Sequence, residues 1–352
     1  MQPSPLARIL FGVYVVLAVY ASLYPLEGWR AHGLSPFAYL GAAWPRYVTG
    51  FDVAVNVLGY LPYGFLCVVA LHPAVRGRAA FGLALASAGV LSLVLEGAQS
   101  FLPARVANNL DVLCNLGGAA LGAALALAAE SRLMAEGPLK RLRAAAFLPG
   151  AGIDAGLVLI GLWLFTQLNP AALLFAAGDL RNLFSAANVP AYQPQFFAAI
   201  EALTAAANLV AVGLLVSVLA RQPAHALFVA LVLIALAVKT AAFAILLRAE
   251  NVLAWLTPGA QVGLASGLVA GFVAMALPRT ARLALAAVLV MAATVLVNLA
   301  PPNPYLAASL KVWEQGHFLN FNGLTRLVGA VWAFAALAYL IFLAARRKED
   351  VG

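Results

Sequence analysis

The chain has few charged residues and few side chains suited to metal or redox chemistry. Only 10% of its 352 residues are charged, 64% are hydrophobic, and it contains two cysteines and four histidines. Soluble domains carry roughly 25% charged residues, so this composition excludes an ordinary soluble domain and indicates a membrane protein. Both cysteines, Cys67 and Cys114, fall inside apolar segments, which disfavours a disulfide framework or a zinc site.

Familiar catalytic signatures are also missing from the sequence. It has no P-loop, no His-Glu-x-x-His motif, no Gly-x-Ser-x-Gly elbow and no dinucleotide fingerprint, so no cofactor is recognisable. The net charge is +8, but the basic residues are scattered through the loops and form no long basic tract. This pattern predicts no nucleic-acid partner and is better explained by membrane orientation.

Long apolar runs dominate what is present. Ten segments are long enough to cross a hydrocarbon core, which needs roughly 20 helical residues. They are rich in Ala and Leu, so we predict an all-α, polytopic bundle of about ten transmembrane helices. The segments are 6–24, 52–71, 79–100, 110–130, 147–168, 196–220, 224–247, 259–277, 283–300 and 323–344.

The basic residues predict an orientation and a division of the chain. Lys and Arg concentrate in alternate loops, which places both termini in the cytoplasm of a bacterial inner membrane. The basic loop 131–146 contains Gly137-Pro138 and is predicted to be a cytoplasmic linker. It separates a four-helix membrane domain, 1–130, from a second membrane region of about six helices, 147–352.

Three of the first four apolar segments carry a carboxylate and an amide on one helix face. Polar groups three or four residues apart share a face, and these pairs all lie at the predicted outer ends. Charges inside a bilayer are costly, so such a cluster predicts a functional site. The pairs are Asp52/Asn56, Glu96/Gln99 and Asp111/Asn115, and the short loop 101–110 adds Arg105 and Asn109.

The side chains of this cluster suggest roles in binding and in proton transfer. The candidate catalytic residues are Glu96, Asp111 and Asp52, with Glu96 as a general base. The candidate ligand-binding residues are Asn56, Gln99, Arg105, Asn109 and Asn115. The carboxylates also predict a divalent cation as a possible cofactor. The alternative is structural, because Asp52 and Asp111 suit helix caps and amides join neighbouring helices.

In the second half of the chain, charged residues within apolar segments again lie mostly toward the predicted outer side. Glu201, Lys239 and Arg326 lie within apolar segments there and are second-half site candidates. Glu201 and Lys239 also suit a buried ion pair that joins two helices. Asp154 is the exception, since it lies in the predicted inner half of its segment.

Three long connections on the predicted outer side combine proline with aromatic residues. They span 25–50, 169–195 and 301–322. One interpretation is aromatic belts with short interfacial helices. The other is a lid over an outward-facing cavity.

A spacing pattern in residues 6–130 resembles the VanZ-like membrane-protein family. Its elements are Asp52-x3-Asn56-x3-Tyr60-x-Pro62-x-Gly64-Phe65, Glu96-x2-Gln99, Pro103-x-Arg105 and Asn109-x-Asp111-x3-Asn115-x2-Gly118. The family unit is a compact four-helix bundle, and the family takes its name from a protein linked to teicoplanin resistance. The resemblance therefore implies a cell-envelope role with a link to glycopeptide antibiotic susceptibility. The long second half departs from the minimal family unit.

Three functions fit these observations. The first is binding or processing of a lipid-linked envelope precursor, of the isoprenoid-phosphate or peptidoglycan type, with membrane lipids as the other partners. The second is a secondary transporter of a small solute, which should depend on Asp154 in the inner half. The third is a non-catalytic membrane assembly protein, in which the polar residues only tie helices together.

Overall fold

The computed structural model describes most of the chain in helical form. It describes residues 4–31, 33, 35–45, 47–129, 137–181, 194–221, 224–247, 251–301, 303 and 319–349. Within these ranges there are eleven α-helices and no β-strand, apart from one isolated bridge between Phe147 and Ala220. The all-helical prediction is therefore confirmed.

The contacts divide the chain into two units, Met1–Ala145 and Ala146–Gly352. The division falls at the end of the predicted linker, of which residues 131–136 lie outside the described part. Unit 1 contains five helices and a short 3-10 turn, Ala38–Gly41, called η1. The helices are α1 Pro5–Leu23, α2 Gly50–Leu71, α3 Gly77–Gln99, α4 Asn109–Ala128 and α5 Pro138–Ala146.

Local signals in the sequence start these helices. Pro5 occupies the first turn of α1, and the Ser4 side chain accepts a hydrogen bond from the Ala7 N–H. Thr49 and Asp52 form a reciprocal capping box at the start of α2. Asn108 caps α4 by accepting from the Leu110 N–H.

Helices α2 and α4 form the closest pair in unit 1 and run parallel. A Cβ atom at Gly118 or Gly122 would overlap the backbone oxygen of Val57 or Leu61, and one at Gly64 would overlap that of Ala119. Small residues allow such close approach in membranes, where packing rather than hydrophobicity drives association. The contact brings the first turns of α2 and α4 to the same end of unit 1.

Unit 2 is built around one deeply buried helix. Its helices are α6 Ala151–Thr166, α7 Pro194–Leu219, α8 Ala224–Ile245, α9 Pro258–Ala274, α10 Arg279–Leu299 and α11 Leu319–Glu349. Of the apolar stretch of α7, 83% is buried within the protein. Helix α9 runs parallel to α7 along a row of glycines four residues apart, and Gly263 and Gly267 face the backbone of α7.

An irregular segment is buried in unit 2 after α6. Residues 173–178 are buried but not helical. The Phe175 N–H donates to the Gln167 Oε1 at 3.0 Å, and the Phe175 carbonyl accepts from the Trp163 indole at 3.2 Å. Non-helical backbone at membrane depth needs such partners inside the protein, because lipid offers none.

Eight helices in the described part are long and apolar enough to cross a membrane. The multi-pass character is thus confirmed in its coarser form. The other two predicted segments, 147–168 and 259–277, correspond to α6 and α9, which have only 16 and 17 residues. Ten spans and cytoplasmic termini stay predictions.

Candidate functional site

The Glu96 carboxylate is buried at the end of unit 1 where α1 and α3 end and α2 and α4 begin. Its side chain is 4% exposed. The Glu96 Oε2 accepts a hydrogen bond of 2.8 Å from the backbone N–H of Asn108, the N-cap of α4. The free N–H groups and the dipole at a helix N-terminus favour a negative charge, so α4 stabilises this carboxylate.

Three more buried polar side chains lie near Glu96. Ser92 is one turn earlier on α3, and its hydroxyl accepts from the Asn115 Nδ2 at 2.9 Å. The Tyr60 hydroxyl, on α2, lies near Ser92 and within electrostatic range of Glu96. We call Tyr60, Ser92, Glu96 and Asn115 the Glu96 cluster.

Two atoms of the Glu96 cluster have no hydrogen-bond partner among the described residues. They are the Asn115 Oδ1 and the Tyr60 hydroxyl, and both are buried; the Tyr60 hydroxyl interacts with the Ser92 hydroxyl but lacks the geometry of a hydrogen bond to it. More than nine in ten buried polar groups in proteins are paired with protein or water. The cluster therefore has unused hydrogen-bonding capacity inside an apolar bundle, as expected of a site that receives a polar ligand.

The other two predicted catalytic carboxylates lie around this cluster. Asp111 is half-buried in the first turn of α4 and interacts electrostatically with both Glu96 and Asp52. Asp52 is exposed, and its Oδ2 accepts from the Thr49 hydroxyl at 2.6 Å and from the Thr49 N–H at 3.3 Å. Its contacts are those of a helix cap, whereas Asp111 adds negative charge next to Glu96.

Arg105 and Gln99 are engaged with the last turn of α1. The Arg105 Nε donates to the Tyr24 carbonyl at 3.0 Å, and its Nη2 donates to the Ala21 carbonyl at 3.1 Å. The Gln99 Nε2 donates to the Ser22 carbonyl at 2.9 Å. The final carbonyls of a helix lack internal partners, so these side chains complete α1. Burial lowers the pKa of Arg105, and the nearby Glu96 carboxylate opposes that shift.

The two remaining amides predicted to bind a ligand differ in their contacts. The Asn109 Nδ2 donates to the Ala42 carbonyl at 2.9 Å, while its Oδ1 is buried without a partner among the described residues. Asn56 is half-buried on α2 and likewise has no hydrogen-bond partner in the described part of the chain. Asn109 thus attaches α4 to the segment that follows η1.

The connection between α1 and α2 covers the end of α3 next to the Glu96 cluster. Tyr39, in η1, is buried, and its hydroxyl donates to the Leu93 carbonyl at 3.3 Å. Burial raises the pKa of Tyr39, and the nearby Glu96 carboxylate raises it further. Phe37 lies against Gly97 in the last turns of α3. The segment 37–42 therefore packs against the last two turns of α3, and a lid over the site stays a prediction.

The second-half candidates lie in unit 2 and have partners of their own. The Lys239 Nζ donates to the carbonyls of Asn169 and Ala172, both at 2.7 Å, next to the buried irregular segment. The Glu201 Oε2 accepts from the Thr257 hydroxyl at 2.5 Å. Lys239 and Glu201 interact electrostatically. Arg326 is half-buried on α11.

The described residues contain no group of three His, Cys, Asp or Glu side chains arranged to hold a metal ion. The Asp52 carboxylate is hydrogen-bonded to Thr49 in its own helix cap, and the Glu96 carboxylate is hydrogen-bonded to Asn108 at the start of α4. A divalent cation near these carboxylates would have to take water or ligand oxygens in addition. It stays a prediction.

Three side chains near Glu96 were not among the predicted site residues, although Tyr60 is part of the family spacing pattern. Ser92 precedes Glu96 by four residues, and Tyr60 follows Asn56 by four, so the spacing rule that found the other pairs would have found them. Tyr39 carries no such signal, because its contact with Leu93 joins residues 54 positions apart.

A comparison with known protein families matches the region of unit 1 that contains the Glu96 cluster. Residues 10–130 match the VanZ/LLP1 family model. No curated protein and no solved structure matches the chain. The matched residues include α2, α3, α4 and all four members of the Glu96 cluster. The N-terminal third of this multi-pass helical protein is therefore a VanZ-like domain.

Proposed function

We propose that the VanZ-like domain binds the polar head of a lipid-linked cell-envelope precursor at the Glu96 cluster. One observation carries this proposal: a buried carboxylate lies beside two buried polar atoms that have no partner among the described residues. Helices that only needed polar contacts to hold together would be expected to pair these atoms with one another.

The chemistry of the cluster favours a ligand that donates hydrogen bonds. The Asn115 Oδ1 and the Glu96 carboxylate accept hydrogen bonds, and the Tyr60 hydroxyl can accept or donate. Sugar hydroxyls and peptide N–H groups supply such donors. Both occur in the head groups of glycan carriers and peptidoglycan precursors.

A phosphate fits the cluster itself poorly. Glu96 and Asp111 are both acidic and lie within electrostatic range of each other. Arg105, the nearest basic side chain that the sequence suggested, is hydrogen-bonded to two carbonyls of α1. We therefore place the glycan or peptide part of the ligand at the cluster, and the isoprenoid phosphate farther out. A divalent cation would be needed to bring the phosphate closer.

The surface of unit 1 suits the apolar tail of such a ligand. Large apolar side chains are exposed along the same helices, including Leu58 on α2, Val90 and Val94 on α3, and Leu113 on α4. In a bilayer these faces contact lipid. A ligand whose tail lies along them could place its head group at the cluster without leaving the membrane.

The proposal concerns binding first. If a reaction follows, Glu96 is the group positioned to accept a proton. The nearby charge of Asp111 would influence that proton transfer. Asp52 is the weakest catalytic candidate, because its carboxylate is used in the capping box. We place the protein in the bacterial inner membrane, with altered glycopeptide susceptibility as the expected phenotype of a deletion.

The test is native mass spectrometry of the purified full chain with its retained lipids. Tyr60→Phe is compared with Tyr63→Phe, which removes the same atom from a buried tyrosine one turn away on α2. We expect the wild type and Tyr63→Phe to retain a polyprenyl-linked glycan or peptide, and Tyr60→Phe to retain much less. Equal amounts of bulk phospholipid and nothing else in all three proteins would overturn the proposal.

A further inference from the structure

A cavity of about 340 Å³ lies in unit 2, where α7 and α9 end and α8 and α10 begin. A water molecule takes up roughly 30 Å³ in the liquid, so the cavity has room for an oxyanion and a few attached atoms. Part of its wall is apolar, from Leu148, Val218 and Met275. The polar and basic lining residues are Ser217, Arg221, His225, Arg279 and Arg282.

Two arginines of this cavity have unpaired donors. The Nε atoms of Arg279 and Arg282 are buried and have no hydrogen-bond partner among the described residues. The Arg282 Nη1 donates to the Ser217 hydroxyl at 2.9 Å and to the Ser217 carbonyl at 3.2 Å. One guanidinium is therefore fixed against α7, while donors remain for another acceptor.

The charge in the cavity is predominantly positive. Arg279 and Arg282 interact with each other as like charges. Arg221 lies at the rim, where its Nε donates to the Phe147 carbonyl at 3.2 Å. Asp154 of α6 supplies a carboxylate nearby, because it and Arg279 both interact with the Tyr339 hydroxyl. One carboxylate beside three guanidiniums leaves an excess of positive charge.

We infer that this cavity binds a phosphate-bearing anion, with Arg279 and Arg282 as its main donors. The planar guanidinium matches phosphate oxygens, and charge-assisted hydrogen bonds would pair the Nε donors. The predicted orientation places this end of unit 2 at the cytoplasmic face, where anionic lipid head groups lie. The apolar wall favours a phospholipid as the source over a soluble phosphate compound.

The lipid arm of the test uses the purified full chain in detergent, stripped of lipid and titrated with phosphatidylglycerol. Binding is followed by native mass spectrometry, with phosphatidylcholine as the zwitterionic comparison. We expect Arg279→Gln/Arg282→Gln to bind phosphatidylglycerol about tenfold more weakly than the wild type. The control, Arg76→Gln/Arg78→Gln, loses the same charge from exposed residues at the start of α3 in unit 1 and should bind as the wild type does.

The second arm identifies a soluble source. Inorganic phosphate is added at constant ionic strength with chloride as the reference, and the unfolding temperature is measured. A rise in the wild type that is absent from Arg279→Gln/Arg282→Gln, without tight phosphatidylglycerol binding, supports a soluble phosphate ligand. Equal behaviour of the wild type and this variant in both arms overturns the inference.

A third variant keeps the test decisive if the double variant does not fold. Arg221 is exposed at the rim of the cavity, so Arg221→Gln should fold normally. Weaker binding of phosphatidylglycerol or phosphate by this variant supports the site. Unchanged binding of both then overturns it.

Discussion

Two buried carboxylates, one in each unit, occupy similar positions but have different surroundings. Glu96 is 4% exposed and Glu201 is 2% exposed. Each contacts the N-cap residue of a neighbouring helix, Glu96 through the Asn108 N–H and Glu201 through the Thr257 hydroxyl. The start of a helix therefore stabilises both charges.

The two carboxylates differ in the charged groups that lie near them. Glu201 lies within electrostatic range of Lys239, whose ammonium also donates to two carbonyls just before the irregular segment. Glu96 has the Arg105 guanidinium within electrostatic range, but it also has a second carboxylate, Asp111, within range. A buried carboxylate with a cation in range fits a structural role, while one that also has a second carboxylate in range and lies beside unpaired polar atoms fits a binding site.

The largest effect is expected in unit 2, from Lys239→Met. The variant leaves the carbonyls of Asn169 and Ala172 without their donor and Glu201 without a cation. Leaving a buried hydrogen-bond acceptor without its donor costs about 1–3 kcal/mol, so the loss of both bonds should lower the unfolding temperature and the membrane abundance. Thermal unfolding in detergent and quantitative blotting measure the two quantities.

A double variant separates charge from hydrogen bonding in this effect. Lys239→Met/Glu201→Gln removes both charges and should recover part of the lost stability. A Lys239→Met protein as stable as the wild type would show that Lys239 does not balance Glu201, and the contrast between the units would fail.

The next effect is expected from Gly122→Ala in unit 1. The added Cβ would overlap the Leu61 carbonyl oxygen, so α2 and α4 must separate. Overpacking of this kind costs roughly 1–3 kcal/mol. The control is Gly117→Ala, because no atom lies within 4 Å of a Cβ built there. Equal unfolding temperatures for the two variants would contradict the close α2–α4 contact.

A smaller effect is expected from Arg105→Gln. The change removes two hydrogen bonds from the end of α1, and a typical intramolecular hydrogen bond contributes roughly 0.5–1.5 kcal/mol. Hydrogen exchange should rise in the last turn of α1, while the lipid that we propose for the Glu96 cluster should stay bound. Loss of that lipid without faster exchange would instead make Arg105 a ligand-binding residue.

The sequence was most informative about where helices and polar faces lie. Apolar runs located every helix from α1 to α4, and three- and four-residue spacing located Glu96, Asp111 and Asn115 on facing sides. It could not show how individual charges are used. Arg105 binds Ala21, 84 positions away, and Lys239 binds Asn169, 70 positions away. Such long-range contacts to backbone carbonyls leave no periodic signal along the chain.

Short helices were the other difficulty. The apolar runs 147–168 and 259–277 are continuous in the sequence, but α6 ends at Thr166 before the irregular segment and α9 ends at Ala274. Within the irregular segment the Phe175 backbone pairs with Trp163 and Gln167, and Lys239 donates to carbonyls just before it. Hydropathy does not register such partners, because it averages over side chains.

The most direct test of the contrast combines unfolding temperature and lipid retention in Glu96→Gln, with Asp52→Asn as the control. The glutamine keeps an oxygen for the Asn108 N–H and removes one charge next to Asp111, so we predict an unfolding temperature at or above that of the wild type. The polyprenyl-linked lipid should be lost from Glu96→Gln and retained by Asp52→Asn. A lower unfolding temperature with unchanged lipid in Glu96→Gln would show that Glu96 is only a helix-capping carboxylate.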